Sequence, residues 1–274
     1  MRHRHLLLIY AFVFFVLNVS GQKNKDGFSK EWVIIDSLIY NSNLTKSALE
    51  KVNAIYIAAK ATKQSDQVLK ALLYQLSLDN KITDKDVDFT VIEQEIEQTK
   101  DSVQRAILQA ILAKNYFRYY ESVRWEILGR NKNAGAKNSS IHTWTTHDFQ
   151  EKITGIFNDA LINKNLLQSI SINKFPSVIK GYQQSFNTYS VFDLLGMEAI
   201  NYFKEVYNLE INNDDKDLLN AGASLDTIDR FLKFDFNQFD STKSAWKVIS
   251  LYQQLLKIHQ RDLDQSFFVQ LNIE

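Results

Sequence analysis

Apolar residues recur at three- and four-residue intervals along most of the chain, the spacing that places them on one side of an α-helix. Leu49, Val52, Ile55, Tyr56 and Ala59 share such a face and predict a helix from about residue 45, with Ser47 and Glu50 in the Ser-x-x-Glu spacing of a capping box. Ser65 and Asp66 mark a second start ahead of Val68, Leu69, Leu72, Leu73 and Leu76, so two helices joined by a short connection form an αα-hairpin. A second pair is predicted from about Phe89 to Gln98 and from Ser102 to Leu128, with Ala106, Ile107, Ala110, Ala113, Phe117 and Tyr120 facing inward. Residues 129–143 carry Gly, Asn, Ser and Lys without an apolar period, which predicts an exposed loop and the best internal boundary. Beyond it, Thr146 or a neighbour caps a helix bearing Phe149, Ile153, Ile156, Phe157 and Leu161. Phe175-Pro176 interrupts helical continuity, because the residue before proline is driven out of the α region. Helical spacing returns over Val191 to Phe203 and Lys243 to His259, with a polar turn at Asn212 to Asp217 between them. Ser266 to Glu274 opens a further element that the chain leaves incomplete.

These segments predict an all-α fold, a helical-repeat-like array of antiparallel αα-hairpins, although no strict 34-residue signature repeats. Composition agrees: 1 Pro and 8 Gly are too few for the turns of an all-β domain, and 45% hydrophobic residues can fill a sizeable core. The first 21 residues stand apart. Arg2 and Arg4 precede an unbroken apolar run from Leu6 to Leu17, and Val19-Ser20-Gly21 supplies small residues for cleavage before Gln22. The run falls short of the roughly 20 residues that cross hydrocarbon, so it reads as a cleaved secretory signal peptide and not an anchor. The expected organisation is therefore a signal at 1–21, a first αα-hairpin region at 22–128, a loop at 129–143 and a second helical region at 144–274. A periplasmic or secreted protein follows, with no membrane anchor after cleavage.

Charge and cysteine content then remove whole classes of function. The 32 Lys+Arg balance 32 Asp+Glu, which leaves no net field to attract nucleic acid. Zero cysteines exclude disulfides, cysteine nucleophiles, cysteine-based metal sites and lipid attachment through a cysteine. Candidate reaction chemistry fares poorly as well. Gly129 to Lys137 has the wrong glycine spacing for a phosphate loop. Asn213, Asp215 and Asp217 alternate like calcium ligands, but Leu218 replaces the turn glycine and Ser224 the closing carboxylate. His142, His147 and Asp148 straddle a loop and a helix start and so make a poor zinc site, and a capping or surface role is expected of His147 and Asp148. Ser177-Val-Ile-Lys180 matches the Ser-x-x-Lys pattern of acyl-transfer enzymes without its partner motifs, so Ser177 is expected as a helix cap. Glu50, Glu93, Glu95, Glu97, Glu121 and Glu126 are expected on solvated helix faces. No catalytic residue, cofactor site or metal site is expected. The sharpest binding feature is the aromatic and basic cluster of Tyr116, Phe117, Arg118, Tyr119, Tyr120, Arg124 and Trp125. Core packing is its default role, and Tyr116, Tyr119, Tyr120, Arg124 and Trp125 are the candidate contacts for a peptide, glycan or protein partner.

An ordered series of short stretches resembles the N-terminal helical region of large bacterial alpha-2-macroglobulin-family proteins. It comprises Lys46-Ser-Ala-Leu-Glu50, Ile55-Tyr56, Ala58-Ala-Lys60, Lys70-Ala-Leu-Leu-Tyr74, Tyr119-Tyr120, Arg124-Trp125, Thr143-Trp144, Asp148-Phe149, Phe192-Asp193-Leu-Leu195 and Leu251-Tyr-Gln-Gln-Leu-Leu256 with His259. It spans most of residues 30–262. In that family this region precedes β-sandwich domains, a protease-cleavable bait and, in many members, a thioester domain. The resemblance implies a non-enzymatic helical region of an exported protease inhibitor, with macroglobulin-like domains or proteases as its protein partners. The Cys-x-x-Gln thioester motif is absent from a chain without cysteine, and no family catalytic residue maps here. A free-standing helical module that binds peptides or glycans is the alternative expectation.

Overall fold

A computed structural model describes residues 28–82, 89–128, 140–178, 189–210, 227–236 and 243–273, so the expected signal peptide, most of the 129–143 loop and the 212–217 turn lie outside the described residues. Regular structure among the described residues is entirely helical. Eleven α-helices follow one another: α1 (Ser29–Tyr40), α2 (Thr45–Ala61), α3 (Ser65–Ile82), α4 (Thr90–Gln98), α5 (Ser102–Ile127), α6 (Thr146–Leu161), α7 (Lys164–Gln168), α8 (Val191–Glu210), α9 (Ile228–Lys233), α10 (Ser244–His259) and α11 (Ser266–Ile273). Among the described residues, extended pairing is confined to one antiparallel bridge between Ser171 and Ser190. No helix of the described residues is long and apolar enough to cross a membrane.

The predicted faces of α2 and α3 close on each other, Ala59 joining Val68, Leu69 and Leu72 in one cluster and Val52 and Ile55 joining Ala71 and Leu78 in another. Their connection turns through Lys63 at φ 56°, and the amide of Gln64 donates to the carbonyl of Ala59 at 2.9 Å, so the left-handed residue satisfies a helix-end carbonyl. The capping box expected of Ser47 and Glu50 is not formed. α2 starts two residues earlier at Thr45 and its N-cap, Leu44, makes no side-chain cap bond. The backbone supplies the turn instead: Asn43 sits at φ 52° and the amide of Leu44 donates to Leu38 at 2.8 Å. α1 lies outside the elements predicted from periodicity. Its apolar residues Trp32, Val33, Ile34 and Ile35 are consecutive and so occupy both faces, with Trp32 and Ile35 buried and Val33 and Ile34 exposed.

The 26-residue α5 is the central rod, packed by α3, α4, α6 and α8. Asp101 caps it, accepting from the amides of Val103 at 2.9 Å and Gln104 at 3.1 Å. Helices α6 and α8 both open on a reciprocal box one residue class removed from the usual Ser-x-x-Glu. Thr145 pairs with Asp148, and Ser190 pairs with Asp193. Ile141–Thr143, placed in the predicted loop, make a single 3₁₀ turn. α5 and α6 pack directly on each other, and one hydrophobic core runs from Ala59 to Leu271 through both predicted regions. A smaller cluster of Trp32, Ile35, Ala48, Val52, Ile55, Ala71 and Leu78 holds α1 to α2 and α3. The closing segment is a helix: α11 buries Phe267 and Leu271 against the main core.

Candidate functional site

Three places in the fold concentrate polar or ligand-accessible groups. The first joins α8 to the end of α10. Asp193, 1% exposed, uses one carboxylate oxygen to accept from the Ser190 amide at 2.7 Å and the Ser190 hydroxyl at 2.8 Å. Its other oxygen meets His259 Nε2 at 3.0 Å, while Asp262 meets His259 Nδ1 at 2.6 Å. Phe267 of α11 covers the imidazole edge-on with ring centroids 4.6 Å apart. Burial pulls the His259 pKa down, but the hydrogen bonds and charges of Asp193 and Asp262 outweigh it and hold the value above the ordinary range. With a carboxylate on each nitrogen, the imidazolium donates twice and has no nitrogen left to activate a nucleophile. The constellation has the residue types of a catalytic triad arranged as a structural tie.

The second place corrects the expectation that all the glutamates are solvated. Glu95 is 3% exposed. Its Oε2 accepts from the Tyr56 hydroxyl at 2.5 Å and from Lys60 Nζ at 2.8 Å, and its Oε1 accepts from Gln104 Nε2 at 3.2 Å. One carboxylate thus ties α2, α4 and α5. Burial and the neighbouring Glu95 charge raise the Tyr56 pKa, keeping the phenol a donor. Glu93, two residues back, is half-exposed and accepts from the Tyr116 hydroxyl at 2.9 Å.

The third place is a groove of about 460 Å³ among α6, α7, α8 and α10. Phe192, Phe203, Phe236 and Trp246 supply its aromatic lining, and Lys164 and Lys247 its charge. Lys164 Nζ stands 5.4 Å from the centroid of Phe192 and donates to Gln254 Oε1 at 3.2 Å. Burial, and then repulsion from Lys257, lower the Lys164 pKa. Sequence patterning could not assemble this groove, because its walls come from residues as far apart as Asn158 and Gln254 whose individual spacing only says helix.

The residues singled out from sequence separate in space. Tyr116 and Tyr120 are buried, and Tyr116 stacks on Trp144 with centroids 5.6 Å apart. Burial, together with the Glu93 carboxylate, raises the Tyr116 pKa. Tyr119 is half-buried, its hydroxyl 3.1 Å from His142 Nδ1. Trp125 is 73% exposed, with the Arg124 guanidinium 4.7 Å from its ring centroid. These five residues therefore do not form one platform; Arg124 and Trp125 are what the surface presents. Ser177 does not cap the start of a described helix: its amide donates to Asp66 Oδ1 at 3.0 Å, and its hydroxyl accepts from Gln67 Nε2 at 3.0 Å. Lys180 lies outside the described residues, as do Asn213, Asp215 and Asp217. Asp148 belongs to its capping box and His147 lies 3.8 Å from Glu151, and no described group of three His, Asp or Glu side chains is placed to hold a metal. Comparison of the chain with protein-family models, with curated proteins and with solved structures returns no match.

Proposed function

We propose that this chain is a non-enzymatic helical region of an exported alpha-2-macroglobulin-like protease inhibitor, a scaffold that presents surface to neighbouring domains or to proteases in the periplasm or outside the cell. The ordered resemblance from Lys46 to His259 carries the reading. Two physical features support it. The acid–histidine cluster ties α8 to α10 with both imidazole nitrogens of His259 engaged, so neither is free to take a proton from a substrate. Several of the residues that the resemblance quotes, Tyr120, Phe149, Phe192, Leu195, Leu251 and His259 among them, are buried between helices, whereas Trp125 is exposed. The test is the genomic sequence beyond codon 274. Macroglobulin-type β-sandwich sequence there, in any frame, supports the proposal; an unrelated intact gene directly downstream overturns it. A screen of the purified protein on broad ester, peptide and glycoside substrates adds a second check, and robust turnover would refute the non-enzymatic reading.

The alternative, a free-standing module for peptides or glycans, is favoured by one observation, the exposed Trp125 ring stacked by Arg124. Glycan or peptide binding that vanishes in Trp125→Ala, in a protein that folds as a stable monomer, would move the assignment there.

A further inference from the structure

His259 is held from both sides by carboxylates of unequal freedom. Asp193 of α8 is 1% exposed and has two donors besides the imidazole, the amide and the hydroxyl of Ser190. Asp262 lies on the connection between α10 and α11, and its side chain is 38% exposed. That connection folds back on the end of α10: the Asp262 amide donates to the His259 carbonyl at 3.1 Å, and the Gln265 side chain donates to the Asp262 carbonyl. α11 follows at once with eight residues, too few to hold a helix in water without tertiary packing. Its buried side chains include Phe267 and Leu271, and the Phe267 ring stands against both His259 and Tyr189, with centroids 4.6 and 4.1 Å away. The charged groups that face the imidazole are Asp193 from α8 and Asp262 from the connection. α11 brings only the neutral Phe267 ring to it, and Asp264, just ahead of that helix, is exposed and accepts from Ser266. The seat of α11 is thus built on the residues that hold the imidazole.

We propose that His259 is a proton-operated latch on α11: the imidazolium, donating to both carboxylates, holds α11 against the end of α10, and loss of its proton frees Asp262 and lets α11 lift. A neutral imidazole has one N–H and one lone pair, so it satisfies only one of the two acids. Asp193 keeps the hydrogen, because water does not reach it and an unpaired oxygen there is costly, whereas Asp262 can turn to solvent. The Nδ1 lone pair then faces the Asp262 carboxylate across what was a 2.6 Å contact, and the exposed partner relieves that repulsion by moving. The proton itself passes to water. Burial lowers the His259 pKa, and the two acids more than reverse this, leaving it raised; the latch is therefore closed below the ordinary value of about 6.5 and opens as pH climbs through the raised one. Opening uncovers Phe267, Leu271 and the Tyr189 ring, an apolar surface hidden while the latch is closed.

Hydrogen exchange of the full chain, read by mass spectrometry, tests this, with protection taken as the ratio of intrinsic to observed rate so that the ordinary pH dependence of exchange cancels. Protection of the α11 amides should fall about tenfold or more between pH 6 and pH 9, the effect of losing one charge-assisted hydrogen bond. At pH 9 it should lie below that of the central α5, since a latch opens without the rest of the fold. Asp262→Asn supplies the second arm. Its side-chain amide can accept from a protonated Nδ1 or donate to a bare one, so α11 should stay protected across the range. The substitution is at a partly exposed position outside the core, and a melting curve checks that the variant is folded. Wild-type α11 protection that is equal at pH 6 and pH 9 overturns the proposal. So does α11 protection that matches α5 at pH 9, because the two would then open only together, and so does a fall that persists undiminished in Asp262→Asn.

Discussion

Replacing Asp193 with alanine strikes two structural devices at once. Its carboxylate is the acceptor half of the box that starts α8, and the partner of His259 Nε2 across to α10. Loss of the cap alone costs about 1 kcal/mol. Removing one member of a buried charged pair costs about 3–5 kcal/mol, because His259, itself 4% exposed, cannot turn to water. Against a total stability of about 5–15 kcal/mol, Asp193→Ala should forfeit about a quarter of it or more. Asp193→Asn separates the two devices. The amide oxygen can still accept from the Ser190 amide, and the amide nitrogen can donate to a neutral His259 whose Nδ1 proton goes to Asp262. The pH dependence follows from the raised pKa of His259. The tie is complete below the ordinary histidine value of about 6.5, where the imidazolium donates to both carboxylates, and it weakens as pH rises through the raised value. Urea unfolding followed by helical ellipticity from pH 5 to pH 9 should show wild type losing stability over the alkaline part of that range. Asp193→Asn should lose most of that slope, and Asp193→Ala should be destabilised at every pH. A cost of only about 1 kcal/mol in Asp193→Ala would mean that the cap alone matters and that the imidazole is not held in the protonated, doubly bonded state.

Glu95→Ala should cost about 2–4 kcal/mol by chemical denaturation, since the buried Gln104 amide and the Tyr56 hydroxyl lose their acceptor, whereas Lys60→Met should cost about 1–3 kcal/mol, because the buried Glu95 loses its counter-charge but keeps both of those donors. Phe149→Ala, which empties a ring position surrounded by Tyr119, Tyr120 and Trp144, should lower stability by about 3–5 kcal/mol; Trp125→Ala should stay within about 0.5 kcal/mol of wild type, and a large loss there would place Trp125 in the core after all. Gly155 lies inside α6 with open space where a side chain would stand, so Gly155→Ala should stabilise by about 0.5–1 kcal/mol, visible as a higher melting temperature.

Local periodicity makes most of the helices readable, because α2, α3, α6, α8 and α10 each bury a stripe written in consecutive turns of sequence, whereas α5, packed from several sides, is buried nearly all round over its first half. The same rule explains the blind spot at α1: four adjacent apolar residues carry no period, and only the neighbouring helices decide that Trp32 and Ile35 go in while Val33 and Ile34 stay out. Polar sites obey a different logic. Glu95 looks like any surface glutamate until Tyr56 and Lys60, 39 and 35 positions away, are brought onto it by the turn between α2 and α3 and by the docking of α4 on α5. His259 and Asp193 are 66 positions apart, so neither announces the other. The aromatic cluster shows the converse. Its density was plain in the sequence, but a 26-residue helix turns successive rings to different neighbours, so Tyr116 and Tyr120 serve the core while Trp125 reaches solvent. What a single helix needs for its own stability is local and therefore written locally. A charge matched across helices, or a groove between them, exists only in the packing, and in this protein the candidate chemistry, from the Asp193 tie to the Lys164 groove, lies at those crossings.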